Sequence, residues 1–205
     1  MSFDLKIEVK GFQLLLGGQQ LLAEPLDAVF ETNSLNLIRG ENGSGKTTLL
    51  DLLALRSRPN AGCTILRSGH SRAEEIAYLP QRCSFIHDVR VRQLLDLAFR
   101  RGRTRSDCLE NRAKTLTDSK REVGELSGGE QQLLLFWLIA SQPVHIFVYD
   151  EPIRHLDNDV ARLVIESVEQ QVLRGDLVIL SDHSGNTPWG VNTQHISLVT
   201  GPSFR

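Results

Sequence analysis

Apolar and polar positions alternate singly at the start of the chain and then gather into blocks. Phe3, Leu5, Ile7 and Val9 are interleaved with Asp4, Lys6, Glu8 and Lys10, the period of a strand with one buried face. Short strands are expected around Leu14–Leu16 and Ala28–Phe30, broken by Gly17-Gly18 and Pro25, which together make an antiparallel flank. From Leu35 the pattern changes. An apolar strand (Leu35–Arg39) runs into a glycine-bearing loop, and an apolar stretch without Gly or Pro follows as far as Leu55, predicting strand, loop and helix. Thr64–Leu66 and Ile76–Leu79 read as strands on either side of a polar loop. Val91, Leu94, Leu95, Leu97 and Ala98 have helical spacing, with Leu109 and Ala113 in a second helix. A strongly apolar helix spans Glu130 to Ser141 and ends at Pro143, and Ile146–Tyr149 is a fully buried strand. Asn158 to Leu173 is helical, Leu177–Leu180 is buried strand, and His195–Val199 is the last strand. Strands alternating with helices imply a largely parallel α/β sheet.

Composition narrows this picture little: 205 residues with 40% hydrophobic and 23% charged fit one domain with a sizeable core. A net charge of −2 supplies no basic field for nucleic acid, so no nucleic-acid partner is expected. Between Arg82 and Arg121, however, Lys and Arg outnumber Asp and Glu eleven to five. That segment reads as a small helical insertion whose charges form a solvated face or dock on a protein or an anionic membrane surface. Cys63, Cys83 and Cys108 are odd in number and form no CxxC, so they read as free thiols of a reducing compartment. The longest apolar run, Leu133 to Ala140, is too short to span a bilayer. The expectation is a soluble cytoplasmic protein.

The chemistry concentrates at two strand ends. Gly40-Glu41-Asn42-Gly43-Ser44-Gly45-Lys46-Thr47-Thr48 is a G-x-x-x-x-G-K-[ST] phosphate loop between a strand and a helix. Glycines let backbone N–H groups face phosphate oxygens, and the following helix adds its unpaired N–H groups. Lys46 supplies a cation for the β- and γ-phosphates, and Thr47 a hydroxyl for Mg²⁺. Asp150 and Glu151 directly follow the buried strand Ile146–Tyr149, where open α/β sheets place their ligands. Asp150 suits Mg²⁺ and Glu151 an attacking water.

With Leu126-Ser127-Gly128-Gly129-Glu130 added to these, the chain resembles the ATPase subunit of an ABC (ATP-binding cassette) transporter over nearly its whole length. The resemblance implies an α/β P-loop NTPase with a RecA-like core (1–81 and 143–205), an antiparallel β flank, and a helical subdomain (82–142) that includes the signature helix. It implies ATP and Mg²⁺ as ligands, with Gln81 acting on the metal and the attacking water. Ser127, Gly128, Gly129 and Glu130 would close on a second cassette's nucleotide, His183 would touch the γ-phosphate, and Asp157 would lie on a loop crossing to that cassette. The partners implied are a second cassette, making a homodimer, and a separate integral membrane permease at the inner face of the membrane. The sequence departs from the family pattern in three places. The aromatic near the first strands is Phe12, somewhat early, with Leu15 nearer the expected place. The signature helix continues Gln131-Gln132-Leu133 where an arginine is usual. Ile153-Arg154-His155-Leu156-Asp157 stands for the common Thr-Ser-Ala-Leu-Asp. The stretch 157–178 is similar to the heme-exporter ATPase of cytochrome c maturation, and Tyr78–Arg82 to metal-ion importers. A soluble ABC protein of translation or DNA repair, or a weakly active regulatory cassette, is the alternative.

Overall fold

The computed structural model describes residues 5–17, 19–59, 62–68, 76–81, 88–101, 121–154, 156–182 and 187–201. Among the described residues, five parallel strands form the central sheet, in the order β10 (Thr193–Leu198), β5 (Leu35–Gly40), β9 (Leu177–Ser181), β8 (Ile146–Asp150) and β7 (Ile76–Leu79). Every residue of β8 and β9 is buried, because helices cover both faces of the sheet. A second, antiparallel sheet is ordered β4 (Leu26–Glu31), β1 (Lys6–Phe12) and β6 (Thr64–Ser68). In β1 the inward residues Ile7 and Val9 are 1% exposed while Lys6 and Glu8 sit at the surface side, as the alternation predicts. A short hairpin pairs β2 (Leu15–Leu16) with β3 (Gln19–Gln20).

Two apolar clusters hold the layers together. One packs α1 (Lys46–Leu53) between the sheets through Leu49, Leu50 and Leu53. The other joins the opposite face of the parallel sheet to α2 (Val91–Arg101), α3 (Gly128–Ala140) and α4 (Asn158–Leu173). Val91, Leu95, Leu126 and Trp137 thus share one core with Phe147 and Tyr149. Tyr149 locks β8 from within: its ring lies 5.2 Å from Phe136, and its hydroxyl donates to Gln171 Oε1 of α4 at 3.0 Å. That anchoring fixes the next two residues, Asp150 and Glu151.

Three details differ from the sequence pattern. The apolar run to Leu55 is not all helix; α1 stops at Leu53, and Leu55 turns to φ 60° with its side chain 46% exposed. Phe12, the aromatic nearest the first strands, is 2% exposed and packed in the core, so it is not free to stack on a base. The strand Gln19–Gln20 was not expected, since both residues are polar and exposed. The expected helix around Leu109 and Ala113, Cys83, Cys108, His155 and His183 lie outside the described residues.

Candidate active site

The carboxyl ends of β5, β7, β8 and β9 lie along one edge of the sheet, because all four strands run parallel. The phosphate loop, Gln81, the Asp150–Glu151 pair and Ser181 therefore converge. Gly45 is the N-cap of α1 in the left-handed region, at φ 98°. An added Cβ there would displace the tip of the Leu14 side chain, and the left-handed conformation itself favours glycine. Neither a side-chain cap nor a first-turn acid serves the start of α1. By contrast, Ser127 caps α3 and Asp157 caps α4. The N–H groups opening α1 are thus left for an outside acceptor.

Lys46 is 6% exposed and folds over the loop, donating to Gly40 O at 2.8 Å and Glu41 O at 2.9 Å. Burial pushes its amine below the ordinary lysine value, and the charges of Glu151 and Asp150 resist that shift. Thr47 Oγ1 donates to Asp150 Oδ2 at 2.7 Å, and Ser181 Oγ donates to Asp150 Oδ1 at 2.6 Å. Both oxygens of this buried carboxylate are therefore engaged. Ser181 also accepts from the Glu151 N–H at 3.0 Å, tying β8 to β9 at the site. Sequence reasoning missed this serine; its signal is its register opposite Asp150 in the next parallel strand.

Glu151 takes φ 52°, a left-handed value uncommon for a non-glycine residue. Its Oε2 accepts from Gln81 Nε2 at 2.8 Å and pairs with Arg154 Nη1 at 2.6 Å. Burial alone would raise the Glu151 carboxyl, but the Gln81 and Arg154 contacts outweigh it and hold the group below the ordinary glutamate value. The role of Arg154 was also not anticipated from sequence, where it figured only as a departure within its loop.

The signature segment stands apart from this cluster. Ser127 Oγ accepts from Glu130 N at 3.3 Å, and Glu130 Oε2 accepts from Ser127 N at 2.8 Å, a reciprocal capping box. That bond to the Ser127 N–H, with an ion pair to Arg121 at 3.0 Å, keeps the Glu130 carboxyl below its ordinary value. Gln131 donates to Val123 O and Leu126 O, both at 3.1 Å, securing the turn that leads into the signature helix. Ser127 and Gly128 are exposed, with open space before both Gly128 and Gly129. Asp157 caps α4 by accepting from Val160 N at 2.9 Å.

A groove of about 400 Å³ between β4 and β10, lined by residues including Leu26, Asp27, Gln194 and His195, contains none of these groups. The chemistry gathered at the phosphate loop, and not this groove, marks the candidate site. Among the described residues, no three His, Cys, Asp or Glu side chains gather to hold a metal by themselves. No described helix is long and apolar enough to cross a membrane.

Residues 24–154, which include the phosphate loop, the signature and both acids, match the model of the ABC transporter family. The chain belongs to the ABC transporter family. Within it, this is an ATP-binding ATPase subunit. It is 30% identical over 195 residues to the branched-chain amino acid transport ATP-binding protein LivF of Archaeoglobus fulgidus, covering 86% of this chain and 81% of LivF. It is also 30% identical to the cytochrome c biogenesis ATP-binding export protein CcmA of Rhizobium johnstonii, covering 85% and 89%, in keeping with the heme-exporter resemblance of its sequence. Other, longer relatives are spanned over 52–63% of their length. Among solved structures, the fold matches the dimeric ATP-binding cassette MJ0796 bound to ADP and Pi, with a TM-score of 0.69, 19% identity and 94% of each chain covered.

The glycine at the head of α1 gives a direct test. Gly45→Ala forces a left-handed alanine against Leu14 and should weaken ATP binding at least about tenfold, since the left-handed cost of about 1–2 kcal/mol is borne where the phosphate must seat. Calorimetric titration checks this, and unchanged affinity would show that the loop does not hold the phosphates.

Proposed function

We propose that the chain binds Mg-ATP on residues 40–48 and hydrolyses it across an interface with a second copy of itself, driving a separate membrane permease from the inner face of the membrane. The observation that carries this reading is the uncapped start of α1 lying beside the Thr47–Asp150 contact and the Glu151 carboxylate. The backbone N–H groups of Gly43 to Thr48 would hold the phosphates. Lys46 would exchange its loop carbonyls for β- and γ-phosphate oxygens. Thr47 Oγ1 and Asp150 fit Mg²⁺, since both offer hard oxygen within a single 2.7 Å contact, and Gln81 adds an amide oxygen. When bound, Mg²⁺ would offset phosphate charge and align the β- and γ-groups. Glu151, fixed at the end of β8, would take a proton from the attacking water.

The exposed Ser127 and Gly128, with half-buried Gly129, would present a hydroxyl and helix-terminal N–H groups to a partner's nucleotide, with Glu130 kept in the capping box rather than facing that anion. Asp157, at the head of α4, and His183 would complete the closed site, and exposed Leu15 would lie against the base in place of an aromatic. Segment 82–121, with its excess of basic residues, would meet the permease. Metal removal tests the Mg²⁺ assignment. Hydrolysis should fall to background in EDTA and return on adding Mg²⁺, whereas an undiminished rate in EDTA would remove Thr47 and Asp150 from that role.

A further inference from the structure

One oxygen of the Glu151 carboxylate, Oε2, is fully committed within the protein. The side chain is 5% exposed, and Oε2 already carries the Gln81 amide at 2.8 Å and the Arg154 guanidinium at 2.6 Å. The backbone gives it no way out: the Glu151 N–H is bonded to Ser181 Oγ at 3.0 Å, and its carbonyl accepts from Arg154 N at 3.1 Å, closing a tight turn. Arg154 is the movable member. Its side chain is 42% exposed, so the guanidinium can swing to solvent without disturbing the core. Among the described residues the guanidinium has no second acceptor.

We infer that Arg154 is a positioning residue that restrains Glu151, so that its ion pair keeps Oε2 from the attacking water in the nucleotide-free subunit and hydrolysis through that oxygen requires the pair to open. The inference rests on Glu151 being the base. A carboxylate lone pair committed to a guanidinium cannot also accept a hydrogen bond from the attacking water. Opening is local, since Arg154 is carried on the turn of residues 151–154 and faces outward. A restraint of this kind slows turnover without touching the phosphate cradle, so it acts on kcat and leaves ATP affinity alone.

The test compares Arg154→Ser, Arg154→Lys, Glu151→Gln and the double variant with the wild type. Arg154→Ser should raise kcat about tenfold, the factor for a restraint of about 1.4 kcal/mol, with KM for ATP within about twofold. Arg154→Lys, which keeps the cation, should stay near the wild-type rate. A second readout needs no turnover. Without nucleotide, Arg154→Ser strands a buried carboxylate and should lower Tm by about 2–4 °C, and the same change in the Glu151→Gln background should have little effect. A fall or no change in kcat for Arg154→Ser, or a large rise in KM, overturns the inference. So does an equal loss of Tm in both backgrounds. If Glu151→Gln itself hydrolyses ATP at the wild-type rate, the reading of Glu151 as base fails and the restraint falls with it; an inactive Glu151→Gln beside an unaccelerated Arg154→Ser sinks the restraint alone.

Discussion

Lys46→Ala loses about ten- to a hundredfold in ATP affinity and all measurable hydrolysis. The ammonium is the side-chain cation of the phosphate loop, and hydrogen bonds to charged groups contribute about 1.5–3 kcal/mol each. Its present partners, the carbonyls of Gly40 and Glu41, are exposed to solvent by the substitution and are hydrated in its place, so the fold survives. Leu49, Leu50 and Leu53 continue to hold α1 between the sheets. Calorimetry with a far-ultraviolet spectrum separates the outcomes: a folded variant with wild-type affinity would place the nucleotide elsewhere.

Glu151→Gln has the larger effect on rate. Glutamine keeps the size and hydrogen-bonding reach of the side chain but cannot accept a proton, so hydrolysis should fall at least about a hundredfold, as for loss of a general base. Binding persists, because Lys46, Thr47 and Asp150 remain. Removing a negative charge near the γ-phosphate also lessens repulsion in the closed state. A phosphate-release assay under saturating Mg-ATP measures the change, and a wild-type rate would take Glu151 out of the chemistry.

Much of this arrangement could be read along the chain, for local reasons. The buried runs Ile146–Tyr149 and Leu177–Leu180 could be only interior strands, and a parallel sheet sends their carboxyl ends to one edge, which placed Asp150 and Glu151 beside the phosphate loop before any coordinates. Gly45 before Lys46 similarly announced a phosphate-binding loop running into a helix. Interactions set by register or by a neighbouring loop were not legible. Ser181 serves Asp150 only because β8 and β9 pair Asp150 with Ser181, a fact no window of sequence contains. Arg154 reaches Glu151 through a turn whose geometry depends on the φ of 52° at Glu151. Phe12 stood near the place of the family's aromatic, somewhat early, and the bulged end of β1 turns it into the core. The hairpin strand Gln19–Gln20 is made by backbone pairing with Leu15–Leu16 and carries no apolar signal.

In the proposed cycle two copies of this chain close on ATP, each completing the other's site with Ser127, Gly128 and Gly129. Light scattering on Glu151→Gln eluting from gel filtration tests it most directly, with and without Mg-ATP. Self-pairing gives a monomer of 23.0 kDa without nucleotide and a species of twice that mass with it, reverting to monomer when Lys46→Ala is added. A Glu151→Gln variant that binds ATP, hydrolyses none and still elutes as a monomer would contradict self-pairing.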